Sequence, residues 1–193
     1  MYVRDAKNRD EAWLLDHIEE MALDDAAFRS RDYVIAVDEE SNDRAGFGRI
    51  RVHKTDEGDY CELTGIGVLP AWRGQGVGAH VVERLVDTAR AEEFETVYSL
   101  TDQPEYLGQF GFEPVESSAL PAKIRERLAT KRETVQPDAV ATSVGVDEFA
   151  MPDRFREMFK NASPHDETDD QVEDAEDFGI DPDSATYKYD TGR

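Results

Sequence analysis

The stretch that decides the fold is Val68-Leu69-Pro70-Ala71-Trp72-Arg73-Gly74-Gln75-Gly76-Val77-Gly78-Ala79, a glycine-rich segment between a strand pattern and a helix pattern. Upstream, Tyr60–Val68 alternates as a strand, and downstream Val77–Ala91 places its apolar side chains on one helix face. Phe94–Leu100 is predicted to be the next strand. Because strand–helix–strand crossovers are right-handed, the two strands are predicted to lie parallel in one sheet.

The segments before this crossover predict an antiparallel meander of strands, because short polar turns join them. These segments are a short strand at Tyr2–Arg4, a helix at Arg9–Met21, a second turn or helix at Ala26–Phe28, and strands at Asp32–Val37, Ala45–Val52 and Tyr60–Val68. The segments after it are a short helix at Pro104–Phe110, a strand at Phe112–Val115, a basic amphipathic helix at Leu120–Arg132, a strand at Ala139–Val146 and a helix at Pro152–Lys160. The predicted fold class is therefore α/β, with a central mixed sheet flanked by helices. Ala139–Val146, at a predicted sheet edge, could pair across a homodimer.

The loop Arg73–Gly78 has the composition of a phosphate-binding site. Glycines let backbone N–H groups turn toward an anion, and the following helix directs the positive end of its dipole there. No lysine follows the glycines, which excludes a nucleoside-triphosphate P-loop. Gly74-x-Gly76-x-x-Ala79 fits the dinucleotide fingerprint, but Leu69–Arg73 separate it from the strand and the meander conflicts with a doubly wound sheet. The loop is predicted to bind a pyrophosphate.

Two motifs resemble landmarks of the GNAT acetyltransferase superfamily. Val68-x-Pro70-x-x-Arg73-Gly74-x-Gly76-x-Gly78 resembles its acetyl-CoA signature, and Gln109-Phe110-Gly111-Phe112-Glu113 resembles the helix–turn before its sixth strand. The order of elements from Tyr2 to about Val115 is similar too. The resemblance implies a GNAT-like sheet and acetyl-CoA as co-substrate, with no metal.

The resemblance also implies which residues contact acetyl-CoA. Backbone groups of Ile66, Gly67 and Val68 would hold the pantetheine arm, with the Val68 N–H facing the thioester oxygen. The residues implied around the pyrophosphate are Arg73, Gly74, Gln75, Gly76, Val77, Gly78 and Ala79.

Glu62 is the predicted general base, since an acid in an otherwise apolar strand suits proton removal from an amine. Strict alternation predicts Glu62 on the same strand face as Ile66 and Val68. Cys61 is predicted to point into the core on the opposite face, which disfavours a covalent acetyl-cysteine route. The alternative is that Glu62 is an exposed residue on a half-solvated strand. Glu62 also matches the position at which some amino-acid N-acetyltransferases of the superfamily carry a basic glutamate.

The predicted general acid is Tyr106. Many family members carry a tyrosine four residues before the glycine of the Gly-Phe landmark, but Leu107 stands at that position and Tyr106 is its neighbour. On a helix the two side chains point about 100° apart. The other candidates are Ser99, Thr101 and Asp102. The histidines at 17 and 53 are predicted on the surface, and the one at 80 is predicted to be structural.

The resemblance implies an N-acetyltransferase that lets a primary amine attack acetyl-CoA directly in a ternary complex. The acceptor is left open among an amino acid, a protein lysine or N-terminus, and a polyamine. Residues 98–121 are similar to the acetyltransferase part of N-acetylglutamate synthases, whose acceptor would need cationic anchors. The arginines available are 49, 51, 125 and 127, which could equally pair with surface acids. The alternative function is a non-catalytic acetyl-CoA-sensing or protein-interaction module.

The net charge of −22, from 44 acidic and 22 basic residues, restricts the partners. Sixteen arginines against six lysines, with acid spread along the chain, resemble the composition of halophilic archaeal proteins; a surface for a basic partner is the alternative. This charge disfavours binding to nucleic acids and to acidic membrane surfaces. The single cysteine excludes an intrachain disulfide. Without a signal-peptide pattern or a membrane-length apolar run, the protein is predicted to be cytoplasmic.

The predicted domain organisation is an acetyltransferase domain at 1–160 and an acidic tail at 161–193. The tail holds eleven acidic residues against two basic ones. Such a composition buries too little apolar surface to fold alone, so the tail is predicted to be disordered or docked on the domain.

Overall fold

The computed structural model describes residues 1–165, and the predicted tail lies outside the described residues from position 166 onward. Met1–Ser163 form one compact unit. Its strands are β1 (Tyr2–Asp5), β2 (Tyr33–Val37), β3 (Arg44–Thr55), β4 (Gly58–Val68), β5 (Thr96–Thr101), β6 (Glu113–Pro114) and β7 (Val140–Gly145). Its helices are α1 (Glu11–Glu20), α2 (Val77–Ala91), α3 (Pro104–Gly108), α4 (Ala122–Thr134) and α5 (Asp153–Lys160).

The sheet has the order β1-β2-β3-β4-β5-β7-β6 and confirms the predicted mixed topology. Strands β1 to β4 are antiparallel neighbours, and a tight turn joins β3 to β4 where Thr55 pairs with Gly58. Strands β4 and β5 are parallel, with α2 as the crossover helix between them. The predicted α/β class, with an antiparallel meander followed by a parallel crossover, is therefore correct.

A β-bulge in β4 reverses the alternation of its side chains. Gly65 has φ +60°, and the register with β3 shifts so that Arg49 pairs with Thr64 while Phe47 pairs with Gly67. One extra residue on a strand exchanges the faces of everything beyond it. Ile66 and Val68 consequently pack against the α2 cluster that contains Cys61 and Leu63, away from Glu62. The prediction that Glu62 shares a face with Val68 is wrong.

The sheet separates two sides of the core. On one side α2 packs its buried residues, including Val81, Val82 and Leu85, against the sheet. On the other side are two smaller clusters, one under α1 with Leu14 and Ile18, and one under α4 that includes Ile124 and Leu128. The cross-strand pair Arg51–Glu62 lies on this second side of the sheet.

Two other predictions need correction. β7 lies between β5 and β6, so it is not an edge strand, and residues 139–146 cannot pair across a dimer in the predicted way. The strand predicted at Phe112–Val115 is shortened to Glu113–Pro114, the two residues that pair with β7, and Phe112 is buried in the α2 cluster. Of the turn or helix predicted at Ala26–Phe28, the structure shows a turn at Ala26 and Ala27, and Ala27 has positive φ. In residues 1–165, no helix is long and apolar enough to cross a membrane.

Candidate active site

The phosphate-binding loop lies between a 3-10 turn at Pro70–Trp72 and the N-terminus of α2. Gly74 and Gly76 have φ values of +69° and +76°, a left-handed backbone that favours glycine. A β-carbon on Gly74 would meet nothing within 4 Å, so this side of the loop is open to a ligand. Arg73 is exposed, and its Nε donates to the Val68 carbonyl at 3.3 Å. The loop therefore combines an open backbone, a helix N-terminus and a guanidinium.

Helix α5 supports the other side of this loop. A β-carbon on Gly76 would lie 2.6 Å from the Phe155 carbonyl oxygen. The Gln75 side-chain amide donates to the Ser163 carbonyl at 2.8 Å and accepts from the Ser163 N–H at 2.9 Å. His80 is stacked on Phe159 at 3.8 Å between ring centroids. The C-terminal part of the described chain thus holds the loop in place.

Tyr106 lies against the beginning of α2. A β-carbon on Gly78 would be 3.0 Å from the Tyr106 hydroxyl and 3.4 Å from Val68 Cγ2, so these three residues are neighbours. Burial raises the pKa of Tyr106 to about 12, which keeps the phenol protonated. Leu107, which stands at the position of the tyrosine in many family members, is 4% exposed and packs in the core. Among the other candidate acids, Ser99 on β5 donates to the Leu63 carbonyl at 3.4 Å.

The sheet opens between β4 and β5. In the described chain their pairing extends only over Cys61 to Leu63, and the β5-facing edge of β4 is unpaired from Thr64 to Val68. Beside this opening is a pocket with a cavity of about 90 Å³. It is lined by Ala22, Leu23, Asp24, Leu63, Thr64, Gly65, Ile66, Ser99, Leu100, Thr101, Lys131, Val135 and Gln136. The backbone of residues 66–68, predicted to hold pantetheine, is at the edge of this opening.

Glu62 is fully buried and held by partners from two elements, β3 and α4. Its Oε2 is 2.7 Å from His53 Nε2 on β3 and 3.3 Å from Arg127 Nε on α4. Arg127 also forms an ion pair with Asp24, in the loop after α1. Glu62 Oε1 is buried with no hydrogen-bond partner in the described part of the chain. One carboxylate oxygen is therefore fixed, and the other is available to an incoming donor.

The alternative that Glu62 is solvent-exposed is wrong, and so is the predicted surface location of His53, which is 5% exposed. Sequence reasoning also did not connect Arg127 and Asp24 with Glu62. The burial of His53 beside Glu62 could have been predicted from the pairing of β3 with β4. In that pairing Arg51 lies opposite Glu62 and His53 lies opposite Tyr60, on the same face of the sheet.

Two further buried cations lie on this side of the sheet. Arg49 is 0% exposed and donates to the carbonyls of Ala27 at 3.1 Å and Ala26 at 2.6 Å. Lys131, on α4, is 5% exposed and donates to the Leu100 carbonyl at 2.6 Å. Burial lowers the pKa of Lys131 to about 8. Arg49 and Arg127 are thus not partners for surface acids, whereas Arg125 is exposed and donates to carbonyls.

Cys61 and His80 do not contact the buried charged residues around Glu62. Cys61 is fully buried on the α2 side, and burial raises the pKa of its thiol to about 12, so a nucleophilic thiolate is disfavoured. His80 Nδ1 lies 2.9 Å from the Gly76 carbonyl at the start of α2, and burial lowers the pKa of the ring. Within residues 1–165 no three His, Cys, Asp or Glu side chains are grouped to hold a metal ion.

Comparison with known proteins gives matches in sequence and in fold. Residues 2–111 match the Acetyltransferase (GNAT) family. Over 83 residues the chain is 30% identical to the amino-acid acetyltransferase of Mycobacterium tuberculosis. The aligned segment covers 43% of this chain and 46% of that protein. The chain thus spans about half the length of this curated relative.

Solved structures share the fold. A Mycobacterium tuberculosis protein in complex with CoA superimposes with a TM-score of 0.63 at 18% identity, over 75% of this chain and 99% of that one. N-acetylglutamate synthase from Neisseria gonorrhoeae, complexed with CoA and N-acetyl-glutamate, gives 0.59 at 17% identity, over 75% of this chain and 34% of that one. With the family match covering more than half of its length, the chain belongs to the GNAT acetyltransferase family.

Proposed function

We propose that this protein is an N-acetyltransferase that transfers the acetyl group of acetyl-CoA to the amine of an amino acid. The observation that carries the proposal is the buried carboxylate of Glu62, whose Oε1 has no partner in the described chain. An amine entering from this side of the sheet would offer N–H groups to that oxygen. The pairing of β4 with β5 ends at Leu63, next to Glu62, so an acetyl group held at the unpaired edge of β4 would meet the amine there.

The loop residues fit the pyrophosphate of a coenzyme A. Gly74 leaves open space, α2 directs its positive end toward the loop, and the exposed Arg73 adds a positive charge. We assign the same role to Gln75, Gly76, Val77, Gly78 and Ala79, and the pantetheine arm to the unpaired edge at Ile66, Gly67 and Val68. Both solved relatives described above are complexes with CoA, in agreement with this assignment.

The chemistry follows from the positions of Glu62 and Tyr106. Bound acetyl-CoA supplies an activated acyl group, whose carbonyl carbon forms the new C–N bond as the C–S bond breaks. Glu62 accepts the proton that the attacking amine loses, and the thiolate that leaves takes a proton from the Tyr106 hydroxyl beside Gly78. Since His53 and Arg127 fix Oε2, the reactive Oε1 is held without reorganisation. No covalent enzyme intermediate is needed.

The site favours a small, anionic acceptor over a polyamine. The pocket has a cavity of about 90 Å³ and is lined by Lys131 and Asp24, and Arg49, Arg127 and Glu62 are buried on the same side of the sheet. Arg127 pairs with both of these carboxylates, so Arg49 and Lys131 repel a polycation. An amino-acid acceptor agrees with the name of the Mycobacterium tuberculosis relative.

The first experiment is a calorimetric titration with acetyl-CoA in molar salt, comparing the parent with Arg73→Glu and a matched control, Arg9→Glu. Both arginines are exposed, but only Arg73 is in the loop. Binding to the parent and to Arg9→Glu, with clear weakening in Arg73→Glu, is the expected result. If none of the three proteins binds acetyl-CoA, the proposal is refuted.

The second experiment separates an enzyme from an acetyl-CoA-sensing module. Glu62→Gln keeps the shape of the side chain and removes the base, whereas Glu57→Gln changes an exposed acid in the β3–β4 turn. We expect Glu62→Gln to lower kcat by about 10²-fold or more with acetyl-CoA affinity retained, and Glu57→Gln to have no effect. Acetyl-CoA binding by the parent without turnover of any amine would favour the sensing module.

A further inference from the structure

Lys131 is a buried ammonium group that no carboxylate of residues 1–165 contacts. Its side chain is 5% exposed, and in the described part of the chain Nζ makes one hydrogen bond, to the Leu100 carbonyl. An ammonium has three N–H donors, so two of them lack a protein acceptor. A buried charge normally has an ion partner because its desolvation is costly. This lysine therefore lacks the partner that its burial requires.

The missing partner does not reflect a shortage of acids. The chain has 44 acidic residues and half as many basic ones, and the buried Arg127 has two carboxylates beside it. The charges of two carboxylates, Glu62 and Asp102, act on Lys131 as well as those of Arg127 and Arg49. In the described residues Nζ contacts a carbonyl and neither of these carboxylates, so an added anion at Lys131 would supply the direct ion pair that they do not.

The pocket places this ammonium where a ligand can reach it. Lys131 and Thr64 both line the cavity beside the opening between β4 and β5. Thr64 is 3% exposed, and its Oγ1 has no hydrogen-bond partner in the described chain. A hydroxyl and an ammonium are both donors to a carboxylate. The pocket therefore offers the Thr64 hydroxyl and the two remaining N–H groups of the Lys131 ammonium as donors to a ligand.

We infer that Lys131 and Thr64 form a subsite for the α-carboxylate of the acceptor amino acid, so that Lys131 determines acceptor specificity. The inference rests on the proposed function and adds the group on the acceptor that is recognised. The α-amine and α-carboxylate of an amino acid are separated by one carbon, and Glu62 is bonded to Arg127, which precedes Lys131 by one turn of α4. Polyamines and amines within a protein chain lack this carboxylate, and the subsite selects against them.

The test compares the twenty standard amino acids with their α-amides as acceptors, for the parent and for Lys131→Met. Methionine keeps an unbranched apolar side chain and removes the charge. In the parent, acids should be better acceptors than their amides. In Lys131→Met, the KM for the acid should rise by about 10- to 100-fold with little change in kcat, because a charged hydrogen bond is lost. The KM for the amide should not change.

Two controls exclude a loss of structure. Lys123→Met removes an exposed lysine of the same helix, which pairs with Glu126 at 3.1 Å, and should behave as the parent does. Acetyl-CoA affinity should be the same in all three proteins. If Lys131→Met loses activity toward amino acids and their amides in equal proportion, the inference is overturned. It is also overturned if the parent accepts amino acids and their amides equally well.

Thermal unfolding with each amino acid, in the presence of CoA, distinguishes the two proposals. If no amino acid is acetylated but amino acids raise the Tm of the parent and not of Lys131→Met, the subsite stands and the proposed reaction is wrong. If neither acetylation nor a shift in Tm occurs, the subsite is overturned as well.

Discussion

Replacement of Gly76 by alanine measures how closely α5 supports the phosphate-binding loop. Two costs add at this position. A non-glycine residue with φ near +76° costs about 1 to 2 kcal/mol. The new β-carbon would also lie 2.6 Å from the Phe155 carbonyl oxygen and 3.3 Å from the Phe159 nitrogen, and backbone must move to relieve this, at about 1 to 3 kcal/mol. The expected destabilisation is about 2 to 5 kcal/mol.

Gly74→Ala is the matched control for this measurement. Gly74 has a similar φ of +69°, but its β-carbon would meet nothing within 4 Å. It should therefore show only the backbone cost of about 1 to 2 kcal/mol. The difference between the two variants isolates the contact between the loop and α5, which should contribute about 1 to 3 kcal/mol.

Urea unfolding followed by circular dichroism, at one fixed salt concentration, provides the assay. With a denaturant slope of about 2 kcal/mol per molar, the midpoint of Gly76→Ala should lie about 0.5 to 1.5 M below that of Gly74→Ala. Equal midpoints would show that α5 does not restrain the loop, and would refute the reasoning.

Three further predictions concern single side chains. Gln75→Ala removes both hydrogen bonds to Ser163 and should lower the free energy of unfolding by about 1 to 2 kcal/mol, measured by the same urea assay; no change would mean that these bonds do not hold the segment. Tyr106→Phe should lower kcat by about 10²-fold or more with acetyl-CoA affinity unchanged, and an unaltered kcat would assign the protonation of the thiolate to water. Because burial lowers the pKa of Lys131 from 10.5 to about 8, the unfolded state binds the proton more tightly between these values. Stability should therefore rise with pH through this window by about 3 kcal/mol, and urea unfolding of Lys131→Met should lack the rise.

Much of the fold could be predicted because it depends on local patterns. Alternation, helical periodicity and short polar turns gave the order of strands and helices, and the glycines around Gly74 marked the loop before α2. The choice of Glu62 followed from an acid in an apolar strand, and its complete burial agrees with that reasoning. Its catalytic role and that of Tyr106 remain predictions.

The faces of β4 could not be predicted, because they depend on one backbone conformation. Gly65 adopts a positive φ and inserts an extra residue into the ladder, which moves Ile66 and Val68 to the side opposite Glu62. A glycine within a strand pattern is compatible with either regular pairing or a bulge. The pairing with β3, which is a tertiary property, decided between them.

The sequence by itself determined the order of elements, the glycine loop and the acid on β4, since each depends on residues that are close in the chain. Only the tertiary structure decided the surroundings of Glu62. His53, Arg127 and Asp24 come from β3, α4 and the loop after α1, and Lys131 reaches the pocket from one turn beyond Arg127. In the sequence, Arg127 and Lys131 belong to a pattern typical of a solvated basic helix. Packing against the sheet buried them, because residues far apart in the chain meet where β4 and β5 separate.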